Sequence, residues 1–307
     1  MGMYCQRGRQ RLAIEPRGYP AAFATVNPND GLNVSIRLSM QELYLPLHDC
    51  TLHVRHRFAG HGRPTILFIH GLGESGLCFE DAFKQTALDD FNLLVPDLAG
   101  YGRSSSAASY SFHAQLDRIR RLVDHFYTEP LHVVGHSLGS DLAILACQSV
   151  VPQAASLTIL EGHLTFSGVF IANRAVAAYE RGEFDEWWTH GFRDTIVYEQ
   201  WGAHSLATRG YYASLRFARP QAMLENSLEL VRRREFGDVY CALTMPKLFC
   251  YGSQSVTEPT LEFLAAHNLE SRKFEGAHWF MLDQPSEFYQ SLAAFLAAAS
   301  PLQPHGS

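Results

Sequence analysis

A short segment, residues 131–140, constrains the fold of this chain more than any other stretch. Four β-favouring residues lead into a Gly-x-Ser-x-Gly pattern, and an apolar stretch with helical spacing, Leu138 to Val150, follows directly. The pattern predicts a strand, a sharp turn and a helix, with Gly135 and Gly139 where backbones approach closely. Such a turn holds the Ser137 hydroxyl above the sheet, at a helix N-terminus that favours negative charge. Ser137 is therefore the candidate nucleophile, with a purely structural turn serine as the alternative.

Composition sets the size and class of the protein. With 307 residues, of which 47% are apolar and 18% charged, the chain can bury a large core and accommodate one domain with a substantial insertion. The net charge of −6 argues against a nucleic-acid partner, and the sole arginine triple, residues 232–234, is explained by a solvated helix face. The chain lacks an uninterrupted apolar run of about 18 residues, so no membrane span is expected.

Cysteine usage and the N-terminal region bear on the compartment. Six cysteines without a C-x-x-C pair, in a chain of this length, are typical of reduced thiols in a cytoplasmic protein. The first thirty residues have several arginines but no apolar core of a secretory signal. We therefore expect a cytoplasmic location, and the sequence gives no indication of the oligomeric state.

Strand-like and helix-like segments alternate along most of the chain. Alternation of this kind predicts an α/β fold with a mostly parallel sheet covered on both faces, and a ligand site beyond the carboxyl ends of the strands. The predicted strands are 42–45, 51–56, 65–69, 91–95, 131–134, 156–160, 247–251 and 271–274, and the predicted helices are 78–87, 111–126, 138–150, 259–267 and 285–298. The domain prediction is an N-terminal arm at 1–41, a core at 42–162 and 241–299, a helical lid at 163–240 and a tail at 300–307.

Four motifs in order give the chain a resemblance to the α/β-hydrolases over about residues 42 to 298. They are His70-Gly71, Asp97-x-x-Gly100-x-Gly102-x-Ser104, Gly135-x-Ser137-x-Gly139 and Gly276-x-His278. A serine hydroxyl needs an imidazole to take its proton and a carboxylate to orient that imidazole. The position of His278 after the last short strand, and after the serine in chain order, makes it the candidate base.

The resemblance also implies roles for residues around the nucleophile. The backbone N–H groups of Leu72 and Leu138 would form the oxyanion hole. His70 would support the loop that carries Leu72, and His136 would pack or brace a loop because its side chain points away from the nucleophile. Asp97 would brace its own glycine-rich turn.

The acid departs from the commonest pattern of the family. Many relatives carry an aspartate three residues after the glycine that closes the penultimate strand, but here that position holds Ser255. Glu161 is the preferred candidate, because it directly follows a buried strand at the catalytic edge of the sheet. Glu258 is the alternative, although it is equally suited to the first turn of the next helix.

The aromatic-rich segment predicted as a lid favours a substrate with an apolar portion. It contains Phe166, Phe170, Tyr179, Phe184, Trp187, Trp188, Phe192, Tyr198, Trp201, Tyr211, Tyr212 and Phe217, of which we expect only a minority to line a pocket. We expect no metal and no cofactor, because the histidines and cysteines lack ligand spacing. The resemblance thus predicts a serine hydrolase acting on a hydrophobic carboxylic ester or thioester through an acyl-enzyme. The alternatives are C–C bond hydrolysis, perhydrolysis or cofactor-free oxygenation by the same residues, or a non-catalytic small-molecule receptor.

Overall fold

The computed structural model describes residues 39–126, 130–192, 211, 214–233 and 236–299. The chain divides into two compact units, residues 1–37 and 38–307, and the first lies wholly outside the described residues. The predicted arm is therefore described only at 39–41, and the predicted tail at 300–307 lies outside as well. Among the described residues, no helix is both long and apolar enough to cross a membrane.

An eight-stranded sheet forms the centre of the second unit, in the order β1-β2-β4-β3-β5-β6-β7-β8. Its strands are β1 (Gln41–Pro46), β2 (Thr51–Arg57), β3 (Thr65–Ile69), β4 (Asn92–Pro96), β5 (Leu131–His136), β6 (Ser156–Leu160), β7 (Lys247–Gly252) and β8 (Ser271–Phe274). The pairs β1/β2 and β2/β4 are antiparallel, and every other neighbouring pair is parallel. The structure confirms the mostly parallel sheet and all eight predicted strands, to within two residues at each end.

Helices flank the sheet along the described chain. They are α1 (Phe112–Phe126), α2 (Leu138–Ser149), α3 (Phe170–Glu180), α4 (Phe184–Glu186), α5 (Pro220–Arg232), α6 (Phe236–Ala242), α7 (Glu258–Ala266), α8 (Phe280–Asp283) and α9 (Pro285–Ala299). The predicted α-helix at 78–87 is wrong, because the chain forms 3₁₀ turns at Gly76–Lys84 and Thr86–Leu88 instead. Hydrogen bonds from the Gly76 N–H to Asp97 and from the Leu77 N–H to Ser75 hold the first residues of this segment in the tighter 3₁₀ geometry.

Burial explains why the predicted apolar segments form the core. All five residues of β3 are buried, and α2 is buried from Leu138 to Cys147, as expected of elements covered on every side. In β2 the polar residues His53 and Arg55 are also buried, so its alternating sequence does not mark a solvent-exposed face. Both donate hydrogen bonds to Asp97.

Asp97 lies directly after β4 and is itself fully buried. Burial alone would raise its pKa, but the hydrogen bond from His53 and the charge of Arg55 hold that pKa below its usual value. The carboxylate also accepts from the N–H of Arg103, so it does brace its own glycine-rich turn. Asp97 also accepts from His53 and Arg55 of β2 and from the Gly76 N–H at the start of the 3₁₀ segment. It therefore holds both segments against the glycine-rich turn.

The described part of the segment between β6 and β7 is mainly helical. Helix α3 packs against α5, and a π-helical turn, Trp187–Phe192, follows α4. The ring of Trp187 stacks on Phe192 at 4.8 Å, and Trp188 on the same ring at 5.7 Å, so these aromatics pack mainly on each other. The aromatic residues Tyr198, Trp201 and Tyr212 lie outside the described residues.

Candidate active site

Ser137 lies in a sharp turn between β5 and α2, with φ 51° and ψ −123°, a conformation that residues with a side chain rarely adopt. A Cβ on Gly135 would lie 2.2 Å from the carbonyl oxygen of Gly139, and a Cβ on Gly139 would lie 2.0 Å from that of Ile69. Both positions therefore require glycine. The Ser137 N–H donates to the carbonyl of Leu160, which ties the turn to the next strand at 2.8 Å.

A cavity of about 380 Å³ adjoins this turn, at the carboxyl ends of the parallel strands. Ser137, Glu161 and His278 all line it, although they are far apart in the chain. Within the described residues, the Ser137 hydroxyl makes no hydrogen bond to the His278 ring. Such contacts often tighten only when substrate is bound.

Glu161 follows β6 with a positive φ of 54°, which turns its carboxylate back toward the sheet edge. Its Oε2 lies 3.5 Å from Nδ1 of His278. Its Oε1 accepts hydrogen bonds from the Gly252 N–H at 2.6 Å and from the Ser255 hydroxyl at 2.8 Å. The serine at the usual aspartate position thus holds the carboxylate that approaches the histidine.

The pKa values of this pair shift for opposing reasons. Burial alone would raise the pKa of Glu161, but its hydrogen bond and ion pair with His278 lower it, with help from Gly252 and Ser255. Burial lowers the pKa of His278, and Glu161 only partly offsets this. The pair therefore favours a charged carboxylate beside a neutral imidazole at neutral pH, as a general base requires.

Glu258, the alternative acid, is the first residue of α7. It is exposed, and it is not among the residues that line the cavity. Its position matches the helix-start role considered from the sequence.

The two proposed oxyanion donors belong to different segments of the chain. Leu72 lines the cavity in the loop after β3, and Leu138 is the first residue of α2. His70 is fully buried beneath the loop, where Nδ1 donates to the Gly71 carbonyl and Nε2 accepts from the Leu98 N–H. One donating and one accepting nitrogen define a neutral ring, consistent with the lowering of the His70 pKa by burial.

Glu74 is a buried cavity residue that sequence reasoning missed. It accepts hydrogen bonds from the Gly71 N–H, from Nε1 of Trp279 and from Nδ1 of His136. His136 also donates from Nε2 to the carbonyl of His278 at 2.8 Å. Both partners of His136 can accept a hydrogen bond, so a protonated ring donating to a charged Glu74 satisfies every atom of the pair.

The pKa values agree with that assignment. Burial alone would raise the pKa of Glu74, but His136 and the other donors lower it to about 2. Burial alone would lower the pKa of His136, but the Glu74 charge raises it. The only sequence signal for this pair was an acidic residue within a glycine-rich loop, and its partners lie 62 and 205 positions away.

Ligand atoms of Glu74, His136 and His278 come within 4.8 Å of one another, a spacing compatible with a metal ion. His136 nevertheless has both nitrogens engaged as donors, and it therefore offers no lone pair to an ion. This donor set does not fit a metal centre.

The cavity has an apolar set of lining residues, called here its apolar wall, and a polar set, called its polar wall. Its apolar wall includes Leu72, Val169, Phe170, Ile171, Leu230 and Trp279. Of the aromatic residues between β6 and β7 that the structure describes, only Phe170 and Tyr211 line it. The polar wall includes His163, Thr165, Thr257 and Thr260, none of which was singled out from the sequence.

Comparison with known proteins supports the fold. A family model described as "alpha/beta hydrolase fold" matches residues 64–196. The chain is similar to the lipase LipV of Mycobacterium tuberculosis, with 32% identity over 38% of this chain and 44% of the lipase. It is also similar to an Escherichia coli 2-succinyl-6-hydroxy-2,4-cyclohexadiene-1-carboxylate synthase, with 25% identity over 80% of this chain and 87% of the synthase.

Among solved structures, a putative aryl esterase from Burkholderia cenocepacia superposes with a TM-score of 0.67 at 18% identity. The superposition covers 84% of this chain and 99% of the esterase. The lipase match spans less than half of that protein, whereas the esterase match extends over nearly its whole length. Sheet order, nucleophile turn and family model agree with one another, and we conclude that the chain has the α/β-hydrolase fold.

Proposed function

We propose that this chain is a serine hydrolase that cleaves a hydrophobic carboxylic ester or thioester through an acyl-enzyme. In this proposal Ser137 is the nucleophile, His278 the general base and Glu161 the acid that orients it. The observation that carries the proposal is the Glu161 carboxylate, which Gly252 and Ser255 hold 3.5 Å from His278 in the cavity that Ser137 lines.

The proposed reaction follows from these positions. His278 takes the hydroxyl proton as the oxygen of Ser137 attacks the carbonyl carbon, and Glu161 stabilises the imidazolium that forms. The N–H groups of Leu72 and Leu138 would donate to the oxyanion, and one such donor typically contributes about 3 kcal/mol. His278 then gives its proton to the leaving alcohol or thiol, and water releases the acyl group by the same steps in reverse order.

The first test is active-site labelling with a fluorophosphonate, which reacts with activated serines. We expect the label at Ser137, and we expect Ser137→Ala to lose both the label and the turnover of p-nitrophenyl esters. The exposed Ser106 provides the matched control, so Ser106→Ala should label and turn over like the wild type. Labelling that survives Ser137→Ala would contradict the proposal.

A second candidate is a reaction by the same residues that forms no acyl-enzyme. The similarity to a protein named as a synthase, over 250 residues, favours it, because a synthase need not transfer an acyl group to water. Mass spectrometry of enzyme quenched during turnover separates the two candidates. An acyl group on Ser137 supports the hydrolase, whereas conversion of substrate without any acylated protein supports the second candidate.

A further inference from the structure

A second histidine and carboxylate pair, Asp141 and His163, lies at the cavity beside the proposed catalytic residues. Asp141 is fully buried in the first turn of α2. Its Oδ2 accepts from Nδ1 of His163 at 2.6 Å, and its Oδ1 accepts from the His163 N–H at 3.2 Å. The His163 side chain is about nine-tenths buried and lines the cavity. Its Nε2 has no hydrogen-bond partner within the described part of the chain.

Four hydroxyl groups form a closed ring on the same wall, and we call them the hydroxyl ring. Thr165 bonds to Ser167 at 2.8 Å and to Thr260 at 3.1 Å, and Thr257 bonds to Ser167 at 2.6 Å and to Thr260 at 2.9 Å. Four bonds use all four protons, so each oxygen keeps one lone pair that can accept another hydrogen bond. Three members of the ring line the cavity.

Together these groups specify the chemistry of a ligand. The hydroxyl ring can only accept a further hydrogen bond, whereas Nε2 of His163 donates when the imidazole is protonated and accepts when it is neutral. A substrate hydroxyl satisfies both groups when the imidazole is protonated, because it accepts from Nε2 and donates to the hydroxyl ring. When the imidazole is neutral, the single hydroxyl proton serves only one of the two acceptors. A ketone oxygen can only accept, and it would leave the hydroxyl ring without a partner.

The charge of the cavity excludes anionic ligands. Three carboxylates, those of Glu74, Glu161 and Asp141, line the cavity or lie directly behind its lining residues. They are opposed by at most two cations, His136 and His163. His278 must be neutral to act as a base. The net charge is therefore negative, and an added carboxylate on the substrate would be repelled.

We propose that His163 and the hydroxyl ring form a recognition subsite for an uncharged hydroxyl group of the substrate, away from the scissile carbonyl. This inference rests on the proposed ester or thioester hydrolysis and narrows its substrate class to hydroxylated esters. The hydroxyl can belong to the acyl part or to the alcohol part of the ester, because Ser137 lines the same cavity and either part can extend into it. His163 is then a specificity-determining residue rather than a member of the proton relay.

Two series of esters test the subsite. The acyl series compares p-nitrophenyl hexanoate with analogues that carry one hydroxyl at successive acyl carbons, and the alcohol series compares butyl hexanoate with its hydroxybutyl analogues. The readout is the ratio of kcat/KM for each hydroxylated ester to its parent. We expect the ratio to reach about tenfold at one position in one series, the size of one or two hydrogen bonds. The series in which it rises identifies the part of the substrate that binds.

Variants then assign the preference to the wall. His163→Phe keeps a ring but loses its hydrogen bonds, and Thr260→Val keeps the shape but loses a hydroxyl. Both should bring the ratio close to one while the parent ester is still hydrolysed. The exposed His113 provides the control, so His113→Phe should keep the wild-type ratio. Because a ratio does not depend on the folded fraction, Thr260→Val remains informative even if His163→Phe folds poorly.

The outcomes separate this inference from the proposed function. Turnover of the parent esters with ratios near one in both series, or a ratio that survives both variants, would overturn the subsite alone. Absence of turnover for every ester, together with absence of fluorophosphonate labelling, would overturn the hydrolase and the subsite with it.

Discussion

At the scale of single residues, the site depends on two side chains held in left-handed backbone conformations. Ser137 and Glu161 have φ values of 51° and 54°, and each lies one residue beyond its strand. Strain of this kind costs about 1–3 kcal/mol per residue and is common at functional sites. The glycines around Ser137 make that turn predictable from the sequence. Glu161 has no such signature, and only its position after a strand could suggest its role.

Substitution to glutamine discriminates between the two candidate acids. Glu161→Gln preserves shape but removes the charge that stabilises the imidazolium, and the comparable change in the reference serine protease lowers kcat about 10⁴-fold. We therefore expect kcat to fall by about 10³-fold or more in Glu161→Gln, measured on p-nitrophenyl hexanoate. The matched variant Glu258→Gln should stay within about tenfold of wild type, since its side chain is exposed. The opposite ranking, with melting temperatures unchanged, would assign the acid to Glu258.

At the scale of elements, one buried ion pair joins three separate segments behind the proposed catalytic residues. Glu74 lies after β3, His136 ends β5, and the residues they bind, Trp279 and His278, follow β8. The strand and helix boundaries were predictable because apolar periodicity is local. This pair was not, since nothing in the periodicity reports contacts between distant loops. The 3₁₀ turns before β4 were missed for the same reason, because hydrogen bonds to Asp97 and Ser75 decide them.

The pH dependence of kcat/KM tests the ion pair. The ring centroids of His136 and His278 are 4.7 Å apart, so a cationic His136 disfavours protonation of His278 and lowers its pKa. Because the base must be neutral, activity rises with pH through this pKa. His136→Gln removes the cation and leaves Glu74 charged, so the acid limb of the profile should move to higher pH.

The double variant Glu74→Gln/His136→Gln serves as the control for that experiment. It removes both charges, and the acid limb should then lie between those of the wild type and His136→Gln. A loss of activity that is uniform across pH in both variants would mean that the pair only supports the fold.

At the scale of the whole molecule, the sheet brings residues from four chain segments to one edge. Ser137, Glu161, Ser255 and His278 follow β5, β6, β7 and β8, which are neighbours in the sheet. The order of motifs was enough to predict this edge. The cavity was not predictable, because its walls come largely from the segment between β6 and β7, whose packing depends on contacts among its own helices.

The apolar wall of the cavity predicts a dependence on acyl chain length. Each buried methylene contributes about 0.8 kcal/mol, so kcat/KM should rise about fourfold per methylene over short acyl chains. Ile171→Ala enlarges the cavity beside its apolar wall and should move the optimum acyl length to longer chains. Leu261→Ala, at an exposed position, should leave that optimum unchanged. A profile that is flat from acetyl to octanoyl esters would contradict an apolar acyl site.

The contact between Ser255 and Glu161 also bears on how this arrangement could have evolved. Ser255 stands where many relatives carry the acid, and its hydroxyl lies 2.8 Å from Glu161, so one proposed acid could replace the other without a change in the sheet. The order of mutations matters, because an intermediate with both acids suffers repulsion between two buried carboxylates, and one with neither leaves the histidine without an orienting charge. Replacement of the acid at position 255 by serine removes the repulsion between the two carboxylates and avoids the intermediate that has neither. The serine hydroxyl then donates a hydrogen bond to the carboxylate that remains, Glu161. Ser255, which departs from the commonest pattern of acids, is thus the residue that holds the carboxylate we propose to have taken over the role.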